Sequence, residues 1–90
     1  MEFEWDPEKD AGNQRKHGVS FSEASTVFGD PLALTVDDPD HSTEEARFLT
    51  TGMSSEGWLI IVAHTDREDR IRIINARRVT AAEQRAYEEE

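Results

Sequence analysis

The 90-residue chain has no cysteine, which removes disulfides, thiolate zinc sites and cysteine nucleophiles together. Long apolar runs are also missing. The longest, Trp58-Leu59-Ile60-Ile61-Val62-Ala63, falls far short of the roughly 20 residues that span a bilayer. Met1-Glu2-Phe3-Glu4-Trp5-Asp6 is acidic where a secretion signal is basic and then apolar, so a soluble, cytoplasmic protein without a membrane partner is expected. Basic residues are scarce. Ten Lys and Arg stand against twenty Asp and Glu, and the net charge of −10 opposes nucleic-acid binding through bulk charge. Glycine-rich phosphate loops, dinucleotide fingerprints and HExxH helices are absent, and no Ser-His-Asp order stands out. With no repeat, linker or low-complexity segment, residues 1–90 read as one small domain whose core rests on packing alone.

What is present is enough for one modest core: 36% hydrophobic residues, including four Phe and two Trp. Phe3 and Trp5 alternate with Glu2 and Glu4, the period of a short half-buried strand. Asp6-Pro7 reads as an N-cap and first helical residue, opening a helix that runs to about His17 and stops at Gly18. Ser20 opens a second helix with capping-box spacing to Glu23, and Phe21, Ala24, Val27 and Phe28 form its apolar stripe up to Gly29-Asp30-Pro31. Leu32 to Val36 is strand-like and leads into an acidic loop over residues 37–43. Residues 46–53, 58–65 and 71–76 read as an antiparallel meander joined by short turns. A last helix opens at Thr80, again with capping-box spacing to Glu83, and frays at Glu88-Glu89-Glu90. The order β-α-α-β-β-β-α implies an α+β fold with helices packed on one antiparallel sheet.

Histidine is the side chain that most readily exchanges a proton near neutral pH. His17, before Gly18, favours a helix terminus. His41-x-x-Glu44 in the acidic loop offers too few ligands for a metal site, and neither metal nor cofactor is expected. His64 shares a strand face with Trp58, Ile60 and Val62, beside a strand that supplies Arg70 and Arg72, and reads either as a structural hydrogen-bonder or as a proton carrier. Between Arg67 and Arg85 six arginines meet three carboxylates, a local +3 that leaves −13 for the rest of the chain. Alternation in Arg70-Ile71-Arg72-Ile73 puts both guanidinium groups on one face, with Arg77 and Arg78 at the strand-to-helix junction. These arginines either pair with the surplus carboxylates or hold phosphate by bidentate hydrogen bonds. Phosphate held by arginines beside one proton carrier suits metal-independent RNA cleavage. There a base activates the 2′-hydroxyl, cations stabilise the phosphorane and an acid protonates the leaving oxygen.

Phe3-x-Trp5-Asp6, Asn13-x-x-Lys16-His17-Gly18-Val19-Ser20-Phe21, Glu23-Ala24 and Phe28-x-Asp30-Pro31 resemble the N-terminal half of BrnT-type toxins. Glu45-x-Arg47, Val62-x-His64-Thr65, Arg70-Ile71-Arg72-Ile73-Ile74-x-Ala76-Arg77 and Glu83-x-x-x-Tyr87 resemble the second half. The resemblance implies a RelE-like fold and an endoribonuclease toxin of a bacterial type II toxin–antitoxin pair that inhibits translation. It also implies a BrnA-type ribbon-helix-helix antitoxin, in a 2:2 assembly, which neutralises the toxin and alone brings the pair to operator DNA. On the same resemblance His64 transfers the proton, and Arg47, Arg72 and Arg77 stabilise phosphate or transition state. Tyr87 donates a hydrogen bond or acts as the acid, with Glu83 one turn earlier orienting it, and Lys16 contacts the RNA backbone. Arg70 and Arg78 complete the expected RNA-binding set. Asn75 departs from the family's usual serine, and Gln84 stands where an arginine is common. The second reading is a catalytically weak module that binds an antitoxin and serves as operon co-repressor.

Overall fold

In the computed structural model, which describes residues 1–42 and 45–89, the chain opens with the expected strand β1 (Glu2–Glu4). Glu44 of the His41-x-x-Glu44 pair and Glu90 of the terminal acidic run lie outside the described residues. Helix α1 (Pro7–His17) begins where the sequence sets it: the Asp6 carboxylate accepts the Glu8 N–H at 2.9 Å. Gly18, at φ 71°, ends it in the left-handed conformation and donates its N–H to the Gln14 carbonyl at 2.9 Å.

The second helix is shorter than its apolar stripe predicts. Helix α2 (Phe21–Ser25) tightens into a 3₁₀ turn at Thr26–Gly29. The Ser25 and Thr26 hydroxyls donate back to the Ser22 and Glu23 carbonyls at 2.7 and 2.6 Å, a competition that shortens helices. Only half of its capping box forms. Ser20 Oγ accepts the Glu23 N–H, but the Glu23 carboxylate takes a hydrogen bond from Ser54 at 2.8 Å and so ties the helix to a distant turn.

Strands β2 (Leu34–Asp37), β3 (Arg47–Met53), β4 (Leu59–Arg67) and β5 (Arg70–Arg78) follow, then helix α3 (Ala81–Glu88). They form one five-stranded sheet in the order β1-β5-β4-β3-β2. The helix and strand order holds, with the Leu32-to-Val36 segment adding a fourth strand to the meander. The sheet is mixed rather than wholly antiparallel, because β1 joins β5 in parallel. That register sets Glu2 opposite Arg70 and Glu4 opposite Arg72, so opposite charges meet across the strands.

α1 and α2 cover one face. Val19, Phe21, Ala24 and Val27 meet Ile60, Val62, Ile73 and Ala76 in the core, and Phe3, Trp5 and Phe28 pack at its rim. The weak apolar character of α1 has an explanation in its one buried residue, Asn13. β1 pairs only with the first residues of β5, and farther along that edge the Asn13 amide takes over. Its Nδ2 donates to the carbonyls of Val19 and Ala76, both at 2.8 Å, and its Oδ1 accepts the Ala76 N–H at 3.2 Å. The helix therefore leans on the sheet edge through a polar side chain. Among the described residues no helix is long and apolar enough to cross a membrane.

Candidate active site

Strand register divides the side chains between the helix-covered face and an open face. The open face carries three cross-strand rows: Glu4-Arg72-Thr65-Arg47, then Asn75-Ala63-Leu49-Val36, then Arg77-Ile61-Thr51-Leu34. Strict alternation from Arg70 and Arg72 would have turned Arg77 to the helix side. A bulge intervenes. His64 pairs with Ile73 and Ala63 with Asn75, which leaves Ile74 unpaired and reverses the phase of the strand. Arg77 thereby joins Arg47 and Arg72 on the open face, while Ala76 turns into the core.

A cleft of about 570 Å³ opens there. Arg47, Arg77, Lys9, His41, Asp38, Asn75 and Glu83 surround a floor that includes Leu49, Ile61 and Ala63. Helix α3 flanks it without burying any of its own residues. Two tethers hold that helix. Arg77 makes a bidentate pair with Glu83, both contacts 2.8 Å, and the Tyr87 hydroxyl donates to Asp30 Oδ2 and the Leu32 carbonyl, both at 3.3 Å. The Arg77 guanidinium, with the Thr80 N–H, pulls the Glu83 pKa down to about 2. Glu83 is thus an anion at neutral pH that positions Arg77. Among the described residues it makes no hydrogen bond to Tyr87, whose hydroxyl turns to Asp30 and Leu32 in place of the expected i, i+4 pairing. Burial and the nearby Asp30 carboxylate raise the Tyr87 pKa, and its proton is engaged at the β2 end, outside the cleft.

The other expected site residues disperse. Arg72 donates to Glu4 at 2.7 Å, and Arg67 and Arg70 approach the same carboxylate at 3.9 Å, so part of the arginine patch is paired. Arg78 falls on the opposite face and lies 3.7 Å over the Trp58 ring. Lys16 is exposed in the last turn of α1 and does not line the cleft.

His64 is the largest departure. The expectation that it stands beside Arg70 and Arg72 fails, because it pairs with Ile73 on the helix-covered face while both arginines point the other way. It is 4% exposed, between the rings of Phe28 and Phe48 at 4.9 and 5.7 Å. Its Nε2 meets Thr50 Oγ1 at 2.7 Å, and Thr50 in turn meets Thr35 at 2.7 Å. Nδ1 has no partner. Burial holds the His64 pKa below its ordinary 6.5, and the Asp66 charge acts in the opposite direction. The unfolded chain therefore binds this proton more readily than the folded one. The contribution to stability is fully present above about pH 6.5 and is lost as pH falls toward the folded-state pKa. Urea unfolding between about pH 7 and pH 5 should show this decline, and a His64→Gln variant should flatten it.

Sequence reasoning left Lys9 and Asp38 out of the site and weighed His41 only as half of a metal pair. Lys9 gave no signal beyond its charge in the first turns of α1. Asp38 and His41 did: Asp38-Pro39-Asp40-His41 has proline after the acid and the i, i+3 spacing of a 3₁₀ turn, which is what forms at Pro39–His41. Among the described residues no group of three or more His, Asp or Glu side chains gathers as a metal site. The cleft instead combines guanidinium groups, which hold and neutralise phosphate, with an exposed imidazole.

The family model described as the ribonuclease toxin BrnT of type II toxin–antitoxin systems matches residues 5–83. A crystal structure of the Brucella abortus ribonuclease toxin BrnT is similar in fold, with a TM-score of 0.68 at 19% identity. The similarity covers 89% of this chain and 97% of that one. Comparison with curated proteins finds none that matches.

Proposed function

As the chain belongs to the BrnT family, ribonuclease toxins of type II toxin–antitoxin systems, we propose that it cuts RNA without a metal ion in the open-face cleft. The observation that carries this reading is the placement of Arg47 and Arg77 on one exposed sheet face around a cleft. A phosphodiester seated there meets guanidinium donors that strengthen their hold as charge develops on the phosphorane, and Lys9 adds a cation at the rim. Cleavage of cellular RNA then inhibits translation.

Family membership implies an antitoxin partner. In this reading it is a BrnA-type ribbon-helix-helix protein that binds in a 2:2 assembly and carries the toxin to operator DNA. A net charge of −10 suits a basic protein partner and speeds that encounter. The same acidity favours the second reading, a weak catalyst whose main work is co-repression.

Regulated expression of the chain alone in bacteria separates the two. Arrested growth with shortened RNA, relieved by co-expression of a ribbon-helix-helix protein encoded beside it, is the expected result. Undisturbed growth and intact RNA, with the soluble chain present at normal levels, would favour the co-repressor.

A further inference from the structure

The cleft needs a group that accepts a proton, and the histidine singled out by sequence lies on the far side of the sheet. His41 lines the cleft itself. Its Nδ1 lies 2.9 Å from Asp38 Oδ2 and 3.1 Å from Oδ1, while its side chain is 67% exposed and that of Asp38 only 13%. A carboxylate on Nδ1 fixes the tautomer with the proton on that nitrogen and leaves the Nε2 lone pair free. The turn that carries the pair is stitched to the strand of Arg47. Asp38 N–H donates to the Arg47 carbonyl at 2.9 Å. Ser42 Oγ donates to the Asp38 carbonyl at 2.8 Å and accepts the Arg47 N–H at 2.9 Å. The turn that carries the imidazole and the backbone of Arg47 are therefore held by one short network.

We propose that His41, oriented by Asp38, is the general base of RNA cleavage in this cleft. The assignment rests on the ribonuclease reading and specifies its chemistry. Nε2 takes the proton of a ribose 2′-hydroxyl as the 2′-oxygen bonds to phosphorus. Arg47 and Arg77 stabilise the phosphorane, the bond from phosphorus to the 5′-oxygen breaks, and that oxygen takes a proton from water. The products are a 2′,3′-cyclic phosphate and a 5′-hydroxyl. The charged groups facing the imidazole around the cleft are Lys9 from α1, Asp38 from its own turn, Arg47 from β3, Arg77 from β5 and Glu83 from α3.

The test is single-turnover cleavage of a fluorescent RNA across pH by the parent, His41→Ala and Asp38→Asn. His41→Ala should lower the rate constant by about 10²-fold, lose the rise of rate with pH on the acid side, and regain activity when imidazole is added. Asp38→Asn should fall between the two. Thermal midpoints close to the parent's would show that the exposed His41 is not needed for folding. A His41→Ala variant that cuts at the parent's rate with the parent's pH profile would overturn the assignment and leave the nuclease intact. If the parent itself leaves the RNA whole, the ribonuclease reading and this assignment fall together.

Discussion

Arg47→Ala is expected to lower RNA cleavage by about 10²–10³-fold in kcat/KM, with little change in thermal stability. Arg47, Arg72 and Arg77, all on the open face, differ in what already holds them. Arg72 is paired with Glu4 across the parallel strand, and Arg77 is clamped by Glu83. Arg47 has no ion pair among the described residues, and its side chain lines the cleft. With respect to the described residues, its guanidinium is available to a phosphate without first breaking a salt bridge. Removal should therefore appear almost wholly in catalysis. Arg47→Lys keeps the charge and loses the planar fork, so an intermediate rate is expected. Arg72→Ala should cost much less activity and should loosen β1 instead. Steady-state kinetics beside thermal melts checks all three, and equal losses in Arg72→Ala and Arg47→Ala would place the phosphate nearer the β1 edge.

The second large effect lies far from the cleft. Asn13→Ala is expected to destabilise the fold by about 2–4 kcal/mol, because one buried N–H and two buried carbonyls lose their partner. For a chain of this size that corresponds to a fall of roughly 10–30 °C in thermal midpoint. Asn13→Asp should be no better, since a carboxylate would face the carbonyl oxygens of Val19 and Ala76. The cause is topological. β1 is too short to cover the edge of β5, and the amide stands in for the missing strand. A loss below about 1 kcal/mol would mean that water satisfies that edge.

These two residues mark what the sequence makes legible. Local signals read correctly: Asp6 and Gly18 bound α1, Thr80 and Glu83 form the capping box of α3, and apolar alternation places Ile60, Val62 and Ile73 in the core. Signals that depend on distant pairing did not. Nothing in Glu2-Phe3-Glu4 says that it pairs in parallel with residues 70–72. Nothing in Ile73-Ile74-Asn75 announces a bulge, yet that one unpaired residue decides which arginine faces the cleft. A period-2 reading alone would have grouped Arg78 with Arg72 and set Arg77 apart. His64 misled for a related reason: its strand was read correctly, but the partner strand offers isoleucines on that face. The Asp38-x-x-His41 spacing was readable and was overshadowed by the possible metal pair.

The most direct test of a metal-free ribonuclease is incubation of the purified, antitoxin-free chain with naked RNA in excess EDTA, followed by mapping of the product ends. Cleavage that leaves 2′,3′-cyclic phosphates and 5′-hydroxyls is the result expected from guanidinium-assisted attack of the ribose hydroxyl. RNA that stays intact in EDTA and is cut only after divalent metal is restored would contradict it.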